Sequence, residues 1–275
     1  MKLACLCHCK AEDALRNLED RSIDLVIADP PYDIAVGGVA WDCVRNYMQF
    51  ARGWLVEVVR ALRPGGTLML YGSPCRVWIS RMTLLLVDEL CMNHVQDLPW
   101  VYCQGGDSRM ETMKEYAVRH ERIVWFEKPP TEHQGRTFNP LEAAEHYTEE
   151  DRAVALAKGK GRVTERALDR GRPPRTFIDI PRENSRSKER QYGKHPSMKP
   201  MPLCERLIKV HSNEGDSVLV PFAGSGSEIL AAAKLGRQAI GLEIEREYIE
   251  LMQRRFQGHD TPLQLINTTG QAING

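Results

Sequence analysis

The chain contains no apolar run approaching the roughly 20 residues that cross a bilayer. Its first residues, Met1-Lys2-Leu3-Ala4-Cys5, carry no signal-peptide pattern. It also lacks a charge excess. Lys and Arg number 37, as do Asp and Glu, so any attraction to nucleic acid has to come from a local patch. A cysteine framework is missing too: eight cysteines are scattered without disulfide spacing. That suits a reducing compartment, the cytosol or a nucleus, and a cytoplasmic protein is expected. Cys5, Cys7 and Cys9, with His8 among them, resemble a ligand set. Alternate residues of a strand share one face, however, so the thiols line up instead of converging on a tetrahedron. They are read as strand cysteines, and no metal site is expected.

What is present fits one large α/β domain with an inserted lobe, for which 275 residues suffice. The run Ile23-Asp24-Leu25-Val26-Ile27-Ala28 reads as a buried parallel strand, ended by Asp29-Pro30-Pro31-Tyr32 because two prolines forbid further ladder pairing. Residues 3–9 read as a strand and 11–19 as a helix. Residues 33–42 read as a mobile loop. Val44 to Leu62 has helical spacing and is expected to stop at a turn, Arg63-Pro64-Gly65-Gly66, before a strand at 67–72. A helix is expected at 76–90 and short strands at 100–103 and 123–126. From about 128 to 194 periodicity fades, apart from a helix expected within 140–157, and proline, glycine and charge recur. Between Lys158 and Lys194 there are twelve Lys and Arg against five Asp and Glu, an excess that marks a nucleic-acid surface. Order returns with a helix at 202–211, a strand at 217–222, a helix at 227–235, a strand at 238–243 and a helix at 247–256. No pattern is legible after Gly258.

Phe222-Ala223-Gly224-Ser225-Gly226 lies between a strand and a helix, where glycines let the backbone turn at positive φ and approach a ligand closely. The third glycine of the dinucleotide fingerprint is absent, with Ile229 in its place, which argues against a pyrophosphate seated on the helix. Glu243, at the end of the next strand, is placed to accept hydrogen bonds from a ribose.

Three motifs in this order, Asp29-Pro30-Pro31-Tyr32, His195-Pro196-Ser197-Met198-Lys199-Pro200 and Phe222-Ala223-Gly224-Ser225-Gly226, give the chain its resemblance to the β group of DNA amino-methyltransferases. The resemblance covers about 180 of the 275 residues, in the two flanking parts. It implies a circularly permuted doubly wound, Rossmann-like methyltransferase sheet with an inserted target-recognition lobe. Residues 1–103 would form the catalytic half, 104–194 the recognition region and 195–275 the cofactor half. It implies S-adenosylmethionine as cofactor and double-stranded DNA as partner, leaves a homodimer and a cognate restriction enzyme open, and involves no membrane. Asp29, Pro30, Pro31 and Tyr32 would be catalytic. Phe222, Ala223, Gly224, Ser225, Gly226 and Glu243 would bind the cofactor, with His195, Ser197, Lys199 and Pro200 enclosing its methionine part. Arg182, Arg186, Lys188, Arg190 and Lys194 would meet DNA.

The chemistry explains the catalytic motif independently. The lone pair of an exocyclic amine is delocalised into the ring, and acceptors gripping its N–H groups, the Asp29 carboxylate and the Pro30 carbonyl, would free it. Tyr32 offers a stacking face to a flipped base. Asp at position 29 favours adenine N6 by family analogy. Cytosine N4, an RNA base or protein amide, and a degenerate nucleic-acid-binding protein are the alternatives. Two positions depart from the family: Val220 replaces an acid before the Pro-Phe of the cofactor motif, and Cys9-Lys10 stands where Gly-Asp is frequent.

Overall fold

The computed structural model describes residues 4–35, 38–102, 112, 114, 116–158, 164–183 and 187–273. Among them nine strands form one sheet: β1 (Ala4–His8), β2 (Ile23–Ala28), β3 (Leu62–Gly72), β4 (Asn93–Val101), β5 (His120–Glu127), β6 (Ile178–Asp179), β7 (Ser217–Val220), β8 (Gln238–Glu243) and β9 (Leu263–Ile266). Their order is β6-β4-β5-β3-β2-β7-β8-β1-β9. Only β5 runs against its neighbours; the other pairings are parallel.

Strand alternation sorts the side chains of β2 to two cores. Leu25 and Ile27 pack with α6 (Met201–His211), α7 (Ser227–Lys234) and α8 (Arg246–Gly258), through Leu207, Ile229 and Met252 among others. Val26 and Ala28 face α1 (Ala11–Leu15), α2 (Tyr47–Ala61) and α3 (Trp78–Leu84), through Leu15, Trp54 and Met82. Helices on both faces explain why β2 is continuously apolar from Leu25 to Ala28 rather than alternating. The doubly wound expectation is met, and so is the permutation: β7, from the last third of the chain, pairs with β2, from the first.

Several boundaries differ from the sequence reading. Arg63 to Gly66 is not a turn but the irregular start of β3, with a register shift against β2 between Ile23 and Leu25. Pro64 is tolerated in such a bulge. Helix α2 is ended instead by a distant cation: Lys128 Nζ donates to the carbonyls of Val59 and Leu62, each at 2.7 Å, satisfying groups that have no intrahelical donor. The helix expected at 76–90 becomes α3 followed by a π-turn at Leu85–Glu89. The unreadable tail supplies β9, paired with β1 at the sheet edge.

The middle third is more regular than its composition suggests. β5 lies inside the sheet between β3 and β4. The region also carries α4 (Glu149–Lys158) and α5 (Glu165–Arg170), and the start of the expected 140–157 helix is a single 3₁₀ turn, Pro140–Ala143. Asn139 Nδ2 ties it to the end of α6, donating to the carbonyls of Lys209 (2.9 Å) and Ser212 (3.2 Å). No helix among the described residues is long and apolar enough to cross a membrane.

Candidate active site

From β2 the connections run one way, to β3, and from β7 the other way, to β8. The crevice beyond the carboxyl ends of β2 and β7 is therefore the topological switch point, where open α/β sheets place ligands. Asp29 follows β2 and Gly224 follows β7, so the Asp-Pro-Pro-Tyr and glycine motifs, almost 200 residues apart in sequence, share one cavity of about 1160 Å³. Pockets for one drug-sized ligand measure roughly 300–1,000 Å³, and this space lies just beyond that range.

The loop after β2 is held from below. Asp42 is buried and accepts the backbone N–H of Tyr32 (2.6 Å), Asp33 (3.0 Å) and Ile34 (3.1 Å). Tyr47 Oη donates to the Pro31 carbonyl at 2.6 Å. Trp41, in the loop expected to be mobile, stacks on His195 at 6.0 Å and edges Tyr248. The described part of that loop is thus tied over the cavity rather than free.

Both oxygens of Asp29 are engaged. Oδ1 accepts from Tyr32 Oη at 2.5 Å, and Oδ2 pairs with Lys199 Nζ at 2.7 Å. Lys199 also reaches Glu121 Oε2 (3.1 Å) and Ser197 Oγ (3.2 Å), and lies over the ring of Tyr71 at 5.0 Å. Arg182 completes the set, donating to Glu121 Oε1 at 2.8 Å while covering Tyr102. Burial opposes charge on Lys199, but the Asp29 and Glu121 carboxylates outweigh it and hold the ammonium above its ordinary value. Burial likewise pushes Glu121 up, and Lys199 and Arg182 bring it below the usual carboxylate range. Asp29 stays raised by burial, with Lys199 pulling against it. The result is a fixed cation beside a carboxylate with heightened proton affinity.

The glycine turn is built for close approach. Gly224 has φ +51°, and a Cβ there would sit 3.0 Å from His195 Nε2; at Gly226, φ +76°, it would meet Met252 Cγ at 2.5 Å. Glu243 braces the turn: Oε2 accepts the Gly224 N–H at 2.6 Å, and Oε1 those of Ile244 and Glu245. Arg255, from α8, holds the Ser225 carbonyl at 2.5 Å. Phe222 lines the cavity and is edge-on to Trp54. His195 is buried and neutral, its pKa pushed down to about 3 by burial and by nearby Lys199. Its Nδ1 accepts the Ser197 N–H.

The predicted residues are therefore brought together with two rearrangements. Lys199 stands at Asp29 rather than only beside the glycine turn, and Glu243 already serves three backbone donors. Of the basic residues, Arg182 and Arg190 line the cavity, while Lys188 and Lys194 are exposed; Arg186 lies outside the described residues. Glu189, between them, binds Arg255 at 2.7 Å and pins this stretch to α8. Sequence reasoning missed Glu121, Asp42 and Trp41. Glu121 had one signal, an acid heading the otherwise apolar run Ile123-Val124-Trp125-Phe126.

A doubly wound sheet with a carboxylate and a glycine turn sharing its switch point defines a group-transfer enzyme of the class I methyltransferase architecture. The chain belongs to the N6/N4 DNA methylase family, whose model matches residues 23–254. It is 35% identical over 256 residues to the type II methyltransferase M.HpaI of Haemophilus parainfluenzae, covering 90% of this chain and 74% of that one. It is 25% identical to M2.DpnII of Streptococcus pneumoniae, over 93% of this chain and 90% of that protein. Among solved structures, a putative DNA modification methylase of Thermus thermophilus complexed with S-adenosyl-L-methionine superposes with a TM-score of 0.62 at 23% identity, covering 96% of this chain and all of the other. The cytosine-N4-specific PvuII DNA methyltransferase gives 0.66 at 16% identity, covering 93% and 87%. These two likenesses speak for the fold.

Proposed function

We propose that the chain transfers a methyl group from S-adenosylmethionine to the exocyclic amine of a base flipped out of duplex DNA, with adenine N6 as the target. S-adenosylmethionine is the methyl donor, and the residues present fit it. The glycine cradle has no room for a Cβ, one buried carboxylate oxygen in the cavity lacks a donor, and the space exceeds the usual one-ligand pocket. When bound, the cofactor supplies a methyl group on a sulfonium, open to in-line attack.

The protein's own contribution is positional and electrostatic. Asp29 accepts an N–H of the amine and draws its lone pair out of the ring, while Lys199 fixes the carboxylate through Oδ2. Tyr47 anchors the Pro31 carbonyl, and the fixed φ of Pro31 carries that constraint back to the Pro30 carbonyl, the second acceptor. Tyr32 releases Asp29 Oδ1 and turns its ring to the base. The raised proton affinity of Asp29 suits it to take the proton that the methylated amine sheds. Arg190, at the cavity, and the exposed Lys188 and Lys194 would neutralise phosphates.

The observation that carries this reading is the placing of Asp29 and Gly224 at the ends of adjacent parallel strands over one cavity. Incubation with methyl-labelled cofactor and duplex DNA, then digestion to nucleosides, tests it. N6-methyladenine is expected. Label in N4-methylcytosine would move the target to the other branch of the family, and unlabelled DNA would leave a binding protein. The type II relatives make a cognate restriction enzyme, sharing the same recognition sequence, the natural partner to seek.

A further inference from the structure

Glu228 follows the glycine turn as the second residue of α7, is 5% exposed and lines the cavity. Its Oε1 has no hydrogen-bond partner among the described residues. Leaving a buried charged acceptor unmet costs more than the ~1–3 kcal/mol of a neutral one, so a cation or donor is expected to reach it in the working protein. The groups facing it are Asp29 from β2, Tyr71 from β3, Lys199 from the segment before α6, Cys204 from α6 and Arg255 from α8. Neither cation is spare. Lys199 serves Asp29 and Glu121, and Arg255 serves Glu189 and the Ser225 carbonyl. The strand end before Pro221 offers no acid, since Val220 is buried in the apolar core with Leu203 and Ile229.

We propose that Glu228 is the carboxylate that meets the sulfonium of S-adenosylmethionine in this protein, supplying from α7 the negative charge that position 220 lacks. The inference rests on the cofactor being seated at the glycine turn, as proposed above. A sulfonium has no N–H to donate, so it is held by charge and by its polarised C–H groups. The product, S-adenosylhomocysteine, has a neutral sulfur there and gains nothing from this contact, which would separate donor from spent cofactor.

Burial, helped by the charge of Asp29, pushes the Glu228 carboxyl up to about 7. A cation arriving beside it favours the ionised form, so binding releases a proton to solvent, and affinity rises with pH through this range before levelling off.

The test is calorimetric titration of the full chain with S-adenosylmethionine and S-adenosylhomocysteine at pH 6 and pH 8, for wild type, Glu228→Gln and Gly224→Ala. For a group titrating near 7, wild-type affinity for S-adenosylmethionine should gain about tenfold between the two pH values. Glu228→Gln should abolish that gain, bind S-adenosylmethionine more weakly than wild type, most of all at pH 8, and bind S-adenosylhomocysteine normally, which also shows that it folds. A Glu228→Gln protein that keeps the wild-type pH dependence, or loses both ligands equally, overturns the role of Glu228. Undiminished binding of both ligands by Gly224→Ala would instead overturn the seating at the glycine turn.

Discussion

Removing the ammonium of Lys199 should cost more stability than any other single change at the site. Its Nζ lies 2.7 Å from Asp29 Oδ2 and 3.1 Å from Glu121 Oε2, and the side chain is 3% exposed. Lys199→Met keeps the aliphatic bulk and leaves two carboxylates facing each other out of water. Breaking a buried pair by deleting one partner costs about 3–5 kcal/mol, and that is the loss expected at pH 7.5. The pH dependence has a definite sign. In wild type Glu121 is held below its ordinary range, so its contribution is present above about pH 4.3 and lost as pH falls through its folded value. In the variant Glu121 keeps Arg182 but Asp29 loses its cation and is raised further, so its penalty shrinks as pH falls and it takes up a proton. The deficit should narrow between pH 7.5 and pH 5. Adding Glu121→Gln removes the like charge beside Asp29, and the double variant should recover about 1–3 kcal/mol relative to the sum of the singles. Urea unfolding of the four proteins measures this. Additivity within about 0.5 kcal/mol, or a Lys199→Met loss under 1 kcal/mol, would refute the idea that these three groups act as one buried network.

Asp29→Ala should reduce methyl transfer at least about 10²–10³-fold, the scale of losing a main acceptor in a preorganised site, while calorimetry shows cofactor affinity little changed; retained transfer would remove Asp29 from the mechanism. Gly226→Ala forces a Cβ against Met252 at φ +76° and should cost about 1–3 kcal/mol in thermal or urea unfolding. Lys188→Gln with Lys194→Gln should lower the slope of log affinity against log salt by about 0.9 for each phosphate no longer neutralised, read by DNA titration at several ionic strengths; an unchanged slope would make these residues ordinary surface charges. His195 and His211 are both held neutral by burial, their pKa values pushed down to about 3. Unfolding therefore takes up protons below pH 6.5, and stability should fall by about 1.4 kcal/mol per pH unit for each as pH drops toward 5. His211→Leu should remove about half of that slope.

The sequence alone determined whatever depends on a few neighbouring residues. Two prolines end β2 wherever it packs, glycines at 224 and 226 turn at positive φ, and the apolar stretches 25–28 of β2 and 239–242 of β8 demand cover on both faces. These local constraints sufficed for the alternating strands and helices and the order of the motifs, while the doubly wound sheet and the meeting of Asp29 with the glycine turn were what the family resemblance implied. Other features depended on partners far along the chain, which no local pattern encodes. Arg63 to Gly66 reads as a helix stop in isolation, yet Lys128 caps α2 and the glycines are drawn into β3. The tail after Gly258 has too little alternation to announce a strand, but β1 offered an unpaired edge. At the site, only the tertiary structure put Lys199 between Asp29 and Glu121 and left Glu228 facing the cavity. Electrostatic roles of this kind are set by which charges are excluded from water together, and the chain does not decide that until the sheet has brought β2, β5 and β7 to one mouth.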